Sequence, residues 1–483
     1  MGVEKLRNYV AGEWRESNSQ DVLDVFNPAT DEVIGRVPLS TSAEVDEAVA
    51  AAAESFDEWR ETPPTVRVQY LFRLKELMEA SFEDLSRTIV QEEGKTLDEA
   101  RGEVRRTIEN VEVAAGIPSL MMGTNLEDVA RGIDEEVVRQ PLGVFAVIAP
   151  FNFPAMVPMW FAPYALATGN TYIVKPSEQV PFTVRRIFEL FDELELPPGV
   201  INLVNGGRAV VDALLAHPDI VGISSVTSTP VAKEIYKKAC EHGKRAQCQA
   251  GAKNFIVVMP DADLDRTIPA LITSFFGCAG ERCLAGGVIL AVGDVYESLR
   301  DRFVEAAARL KVGNPLDETV QMGPVISRAH KKRVLGYIEQ GLSQGAKLVL
   351  DGRDIEVEGC ENGYFIGPTI FDGVKPNMTI AREEIFGPVP SIIQVASLDE
   401  ARAIIDASPF GNASSIFTAS GAAAREFKYR VKCGNIGINV GIAAPMAFFP
   451  FGGRKDSFFG DLHGQGQDGV DFFTEKKVVI TRW

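Results

Sequence analysis

The spacing of apolar residues changes character along the chain. From Ser42 to about Gly116 they recur three and four apart, as in Val45-Ala48-Val49-Ala52 and Leu71-Leu74-Leu77-Met78, which predicts a helix-rich opening segment. Beyond it, short unbroken apolar runs appear at 144–149, 171–175, 200–204 and 221–226, each leading through Pro, Gly, Ser or Thr into a helix-like stretch. Strands apolar on both faces that alternate with helices predict right-handed βαβ units and a parallel sheet. A second alternating stretch starts at Asn254-Phe255-Ile256-Val257-Val258, takes in a helix before Cys283 and a strand at 288–292, and continues to about Asn435. The tail Lys476-Lys477-Val478-Val479-Ile480-Thr481 reads as a strand free to pair with another subunit or the other domain. No internal repeat or low-complexity linker interrupts the pattern.

Length and charge narrow the classes. A chain of 483 residues exceeds a single compact core, so two or three domains are expected. No apolar run is long enough to span a membrane. The start, Met1-Gly2-Val3-Glu4-Lys5-Leu6-Arg7-Asn8-Tyr9, lacks the segments of a signal peptide, so a cytoplasmic location is expected. A formal charge of −18 speaks against nucleic acid as a partner, because phosphate binding needs clustered cations. The six cysteines show no paired metal-ligand spacing and the four histidines, 217, 242, 330 and 463, are scattered. No metal site is expected, and a zinc hydrolase or a Ser-His-Asp enzyme is disfavoured.

The chemistry gathers at a few places. Cys283 follows Gly277-Cys278-Ala279-Gly280-Glu281-Arg282, a run with small residues that let a carbonyl approach and a guanidinium that eases thiolate formation. Taken alone, it reads more readily as an inert core cysteine. No G-x-G-x-x-G follows a strand. Ser228-Thr229-Pro230 places a hydroxyl and a proline at a helix start after a strand, which suits either a phosphate or a plain N-cap. Lys175-Pro176-Ser177-Glu178 ends a parallel strand, where ligands bind such sheets; its Lys and Glu suit ribose hydroxyls, and Glu178 would repel a 2′-phosphate, favouring NAD over NADP. Asn152, in Pro150-Phe151-Asn152-Phe153-Pro154, offers an amide for an oxyanion or for an Asx turn.

These motifs, with Gly251-Ala252-Lys253-Asn254, Glu383-Glu384-Ile385-Phe386-Gly387-Pro388 and Pro450-Phe451-Gly452-Gly453, resemble the aldehyde dehydrogenase superfamily over nearly the whole chain. Ala115-Gly116-Ile117-Pro118-Ser119-Leu120-Met121-Met122-Gly123 and the Arg before the cysteine look most like its methylmalonate-semialdehyde dehydrogenases. The resemblance implies an α/β fold of two parallel-sheet domains with a small β oligomerisation arm. Residues 1–123, 142–250 and 436–463 would form the NAD-binding domain, 251–435 the catalytic domain, and 124–141 with 464–483 the arm. It implies Cys283 as nucleophile and Asn152 with the Cys283 N–H as oxyanion donors. Phe151, Lys175, Glu178, Ser228, Glu384 and Phe386 would hold NAD, and Arg106 and Arg282 the substrate's carboxylate.

Gln249 falls where hydrolytic members carry the glutamate that activates water, so the resemblance implies acyl transfer to coenzyme A after decarboxylation. The other reading keeps Gln249 as a packed polar residue, with Glu281 or Glu384 activating water, and gives a hydrolytic dehydrogenase of a sulfonated or phosphorylated aldehyde. A catalytically dead homologue is the non-enzyme alternative. Two positions depart from the family pattern: Thr227, usually Gly, and Glu281, usually Gln, which would place a carboxylate beside the thiol and raise its pKa. A homodimer or homotetramer acting on a small aldehyde, with no nucleic acid or membrane partner, is the expected assembly.

Overall fold

The structure, a computed structural model, describes residues 4–483; Met1–Val3, where the sequence was read for a signal peptide, lie outside them. The helix-rich opening resolves into four helices, Ser42–Glu61, Pro64–Ala80, Phe82–Glu93 and Leu97–Ala115. Gly94, left-handed at φ 96°, ends the third, and Thr96 opens the fourth with a capping box in which its side chain accepts from Glu99 N. This tight break leaves Lys95 buried between two helices.

An eight-stranded sheet has the order Phe458–Phe459, Arg245–Gln249, Ile220–Val226, Val144–Ile148, Thr171–Lys175, Ile201–Leu203, Asn8–Val10, Glu13–Arg15. Its five central strands are parallel, as the apolar runs predict. Alternate residues feed opposite faces. Phe145, Val147, Tyr172 and Val174 join one core, while Ala146, Ile148 and Ile173 join another. The sheet is not wholly parallel: its outer strands, from the chain start and from 458–459, pair antiparallel. Those edge strands are two or three residues long, too short for a period to show in the sequence.

A seven-stranded sheet, built from strands between Asn254 and Ile438, covers its own core around Phe275, Phe276, Phe303 and Phe371. The tail strand Thr474–Arg482 pairs with Ile133–Pro141 of its own chain, which also carries Thr124–Ala130, in a three-stranded arm. The arm is anchored at its root. Arg245 donates to the carbonyls of Asp471, Phe472 and Thr474 at 3.1, 2.7 and 2.9 Å, and Asn170 Nδ2 to Phe473 O at 2.8 Å. At Gly123 a Cβ would lie 1.6 Å from Val137 O, so only glycine fits where the chain enters the arm. Among the described residues no helix is long and apolar enough to cross a membrane, and no group of three or more His, Cys, Asp or Glu is placed to hold a metal.

Candidate active site

Cys283 stands where two clefts meet. One, of about 660 Å³, is walled by Glu99, Arg106, Trp160, Phe451 and Gln465; the other, of about 600 Å³, by Phe151, Asn152, Ser228, Glu384 and Phe386; both reach the thiol. The second cleft opens at the carboxyl ends of strands Val144–Ile148 and Ile220–Val226. There the strand order reverses, the place where open α/β sheets bind nucleotides.

The thiol loop is tightly turned. After helix Leu264–Phe276, Cys278 and Ala279 both take φ 49° and Gly280 φ 78°. A Cβ on Gly280 would lie 2.4 Å from Gly387 O, so its absence lets the loop press against the turn that carries Glu384 and Phe386. The Cys283 carbonyl accepts from Asn254 Nδ2 and Asn412 Nδ2, each at 2.8 Å.

Burial, and then the Glu384 charge, push the Cys283 thiol up to about 12, against a weaker opposing pull from Arg282. The adjacent guanidinium does pull toward the thiolate, as expected, but burial and Glu384 outweigh it. Arg282 folds back, donating to Glu99 Oε1 at 3.1 Å, Cys278 Sγ at 3.1 Å and Thr273 O at 3.4 Å. Gly277 leaves it room, since a Cβ there would meet Nη1 at 2.4 Å. The expectation for Glu281 is corrected. Its side chain is buried away from the thiol, accepting from Ile326 N at 3.3 Å and lying 3.4 Å from His330 Nε2. Burial raises its pKa well above the ordinary carboxylate range, and the Glu93 charge pushes the same way.

The remaining predicted residues fall on both sides of the thiol. Arg106 lines the first cleft, paired to Glu109 at 3.0 Å, and Arg282 reaches the same wall. Asn152 Nδ2 donates to Glu281 O at 2.9 Å, which leaves its second hydrogen free in a side chain that lines the second cleft with Cys283. Phe151 meets Phe386 edge to face at 5.8 Å. Phe386 holds φ 61°, a strained conformation for an aromatic residue. Ser228 and Thr227 line the second cleft. Ser228 starts the helix Thr229–Glu241 but makes no side-chain cap, so its hydroxyl is uncommitted there. Lys175 and Glu178 pair with each other at 3.1 Å behind the wall, where Ser177 is the lining residue. Glu384 Oε1 accepts from Ala252 N at 2.9 Å; burial lifts its carboxyl to about 7 and lowers the neighbouring Lys253 ammonium to about 7.

Several functional residues escaped the sequence reading. Lys95 Nζ donates to Asn152 O and to Glu103 Oε2, both at 2.7 Å, and sits 4.0 Å over the Phe153 ring. Glu103 Oε1 accepts from Ala155 N and Met156 N at 2.8 and 3.1 Å. Glu99 Oε1 accepts from Cys278 N at 2.7 Å. Helix Leu97–Ala115 therefore grips the amide loop with one carboxylate and the thiol loop with another. From the opposite side, His330 Nε2 contacts Phe386 O at 2.6 Å, and Arg333 donates to Glu384 O and Ile385 O at 2.8 and 2.9 Å. A signal existed: Glu99, Glu103, Arg106 and Asn110 follow a spacing of four, three and four, a polar stripe at the period of a buried helix face.

A family model described as the aldehyde dehydrogenase family matches residues 14–479. The chain belongs to this family. It is 51% identical over 483 residues to malonate-semialdehyde dehydrogenase 2 of Geobacillus kaustophilus, covering 100% of this chain and 99% of that one. The fold matches the methylmalonate-semialdehyde dehydrogenase of Oceanimonas doudoroffii with TM-score 0.98 at 44% identity, covering 100% of this chain and 99% of that one. A Sinorhizobium meliloti protein assigned as a methylmalonate-semialdehyde dehydrogenase and crystallised with NAD matches with TM-score 0.98 at 42% identity, covering 100% and 98%. As an aldehyde dehydrogenase the chain has a two-sheet α/β fold with a β arm.

Proposed function

We propose that this aldehyde dehydrogenase oxidises a short semialdehyde bearing a carboxylate, malonate or methylmalonate semialdehyde, with NAD, and passes the acyl group to coenzyme A after loss of carbon dioxide. The relatives named above support the substrate class. The observation that carries the acyl transfer is Gln249, at the end of strand Arg245–Gln249. Its carboxamide, oriented to satisfy both ends, donates to Ser225 O at 2.9 Å and accepts from Gly464 N at 3.2 Å. An amide so held neither takes a proton from water nor frees a site for one, so a thioester on Cys283 outlives the oxidation and waits for a thiol.

The residues of the second cleft suit NAD. Ser228 offers an uncommitted hydroxyl at a helix start, Glu384 a carboxylate for ribose, and Phe151 and Phe386 a ring-lined wall. Bound there, its nicotinamide accepts hydride. Cys283 adds as thiolate to the aldehyde carbon, and the free hydrogen of Asn152 and the Cys283 N–H hold the oxyanion that results. Loss of hydride from that carbon leaves the thioester. Arg106 is the cation assigned to the substrate's carboxylate; Arg282, committed to Glu99 and Cys278, acts by fixing the thiol loop. We place the enzyme in the cytoplasm as a homodimer or homotetramer joined through its arm.

The test is NADH formation from malonate semialdehyde with and without coenzyme A. A single burst matching the enzyme concentration without coenzyme A, and steady turnover with it, is expected. Steady turnover in its absence would overturn the acyl transfer, and no NADH in either case would overturn the substrate.

A further inference from the structure

The wall of the first cleft holds polar atoms that the protein itself does not satisfy. Gln465 Oε1, Trp160 Nε1 and Asn110 Oδ1 are buried without a hydrogen-bond partner among the described residues, and all three residues line the cleft that leads to Cys283. Buried polar atoms are nearly always paired, and three exceptions in one cavity point to a ligand that pairs them.

Gln465 is the most deliberate of the three. It is 3% exposed, at φ 70° and ψ 170°, a region that is essentially glycine's own. The chain on both sides is pinned to the opposite wall: Phe451 N donates to Gly464 O at 2.9 Å and Gly466 N to Ala447 O at 3.0 Å. The backbone is thus held in a costly conformation with glycines beside it, and the side chain so placed makes no use of the protein's own groups. Trp160 is fixed by Phe451, 4.5 Å away between ring centroids. Asn110 differs, because the bond from its Nδ2 to Arg106 O at 2.9 Å fixes the amide with its oxygen as the unpaired atom, an acceptor that cannot hold an anion.

We propose that Gln465 and Trp160 are specificity-determining residues that hydrogen-bond the substrate's carboxylate beside Arg106. A carboxamide can turn either end inward, so the Gln465 NH₂ and the indole N–H supply two uncharged donors. This rests on the carboxylate-bearing substrate proposed above. It also explains how the cleft takes an anion although both of its arginines already face carboxylates, Arg106 with Glu109 and Arg282 with Glu99. Uncharged donors hold a carboxylate without a second ion pair, a lighter grip on a group that must leave as neutral carbon dioxide.

The experiment compares malonate semialdehyde with propanal, which lacks the carboxylate, in the wild type and in Gln465→Gly, Gln465→Glu and Trp160→Phe. The wild type prefers the semialdehyde. In each variant the ratio of kcat/KM for semialdehyde over propanal falls by roughly tenfold or more, chiefly through KM. Gln465→Glu, isosteric but anionic, falls furthest. Gln465→Gly keeps or raises the melting temperature, because glycine accepts the backbone conformation, whereas a merely structural glutamine would lower it. Wild-type preference with an unmoved ratio in the variants would overturn the role of these residues and leave the substrate reading intact. A wild type without preference would overturn both.

Discussion

At Cys283, burial and the Glu384 carboxylate together hold the thiol near 12, so the thiolate fraction is small at neutral pH and grows as pH rises. Alkylation of the free enzyme by iodoacetamide should therefore keep accelerating from pH 7 to 10 rather than level off near 9. Glu384→Gln removes a carboxylate that opposes the thiolate, and alkylation at pH 8 should become roughly three to ten times faster; an unchanged rate would exclude Glu384 as a cause. Asn152→Ala, which deletes the free amide hydrogen, should lower kcat by about 10²- to 10³-fold with little change in melting temperature, read from steady-state kinetics and thermal unfolding. Gln249→Glu places a carboxylate against Ser225 O, which repels it toward the thioester. NADH production without coenzyme A should then continue past the first turnover, at roughly ten times the wild-type rate or more.

The helix Leu97–Ala115 holds both loops of the site, the amide loop through Glu103 and its ion-pair partner Lys95, which stands just before the helix, and the thiol loop through Glu99. Burial alone would pull the Lys95 ammonium down, yet the Glu103 and Glu93 charges outweigh it and its pKa is raised. Lys95→Met leaves those carboxylates buried without their cation, a loss of about 3–5 kcal/mol. A clearly lower melting temperature and a lower kcat should appear together. A normal melting temperature with reduced kcat would instead confine Lys95 to the Asn152 carbonyl. The helix was legible in the sequence, but its grip on the two loops was not. Charged residues on an amphipathic helix read as a solvated face, and Lys95 sits in a short break between helices, where no period marks a side chain as buried. Cys283 and Asn152 drew attention through the chemistry of their own motifs and Glu384 through the family resemblance, and the structure brings all three to one cleft. The orientation of Arg282 and Glu281 was hidden, since neighbours in sequence point to opposite sides of a tight turn.

For the molecule as a whole, both sheets were legible in the unbroken apolar runs, because strands buried on two faces leave no polar alternation. The short antiparallel edges were hidden by their length, and the tail strand's partner within its own chain by the distance between 133–141 and 474–482. The arm exposes Leu126, Val478 and Ile480 on a sheet whose two outer strands each leave one edge unpaired. Val478→Lys with Ile480→Lys should shift the protein to a smaller species in sedimentation velocity if subunits join there, and an unchanged sedimentation coefficient would place assembly elsewhere. One consequence of the gripping helix concerns insertions and deletions. Glu99 and Glu103 are one turn apart, about 6 Å along the axis, so the helix works as a fixed gauge between two loops that never bond to it elsewhere in the same way. One residue added between them would rotate Glu99 by about 100° and uncouple the thiol loop while leaving every reactive group in the chain. Length in this stretch, more than residue identity on its outer face, therefore sets whether both loops are held at once.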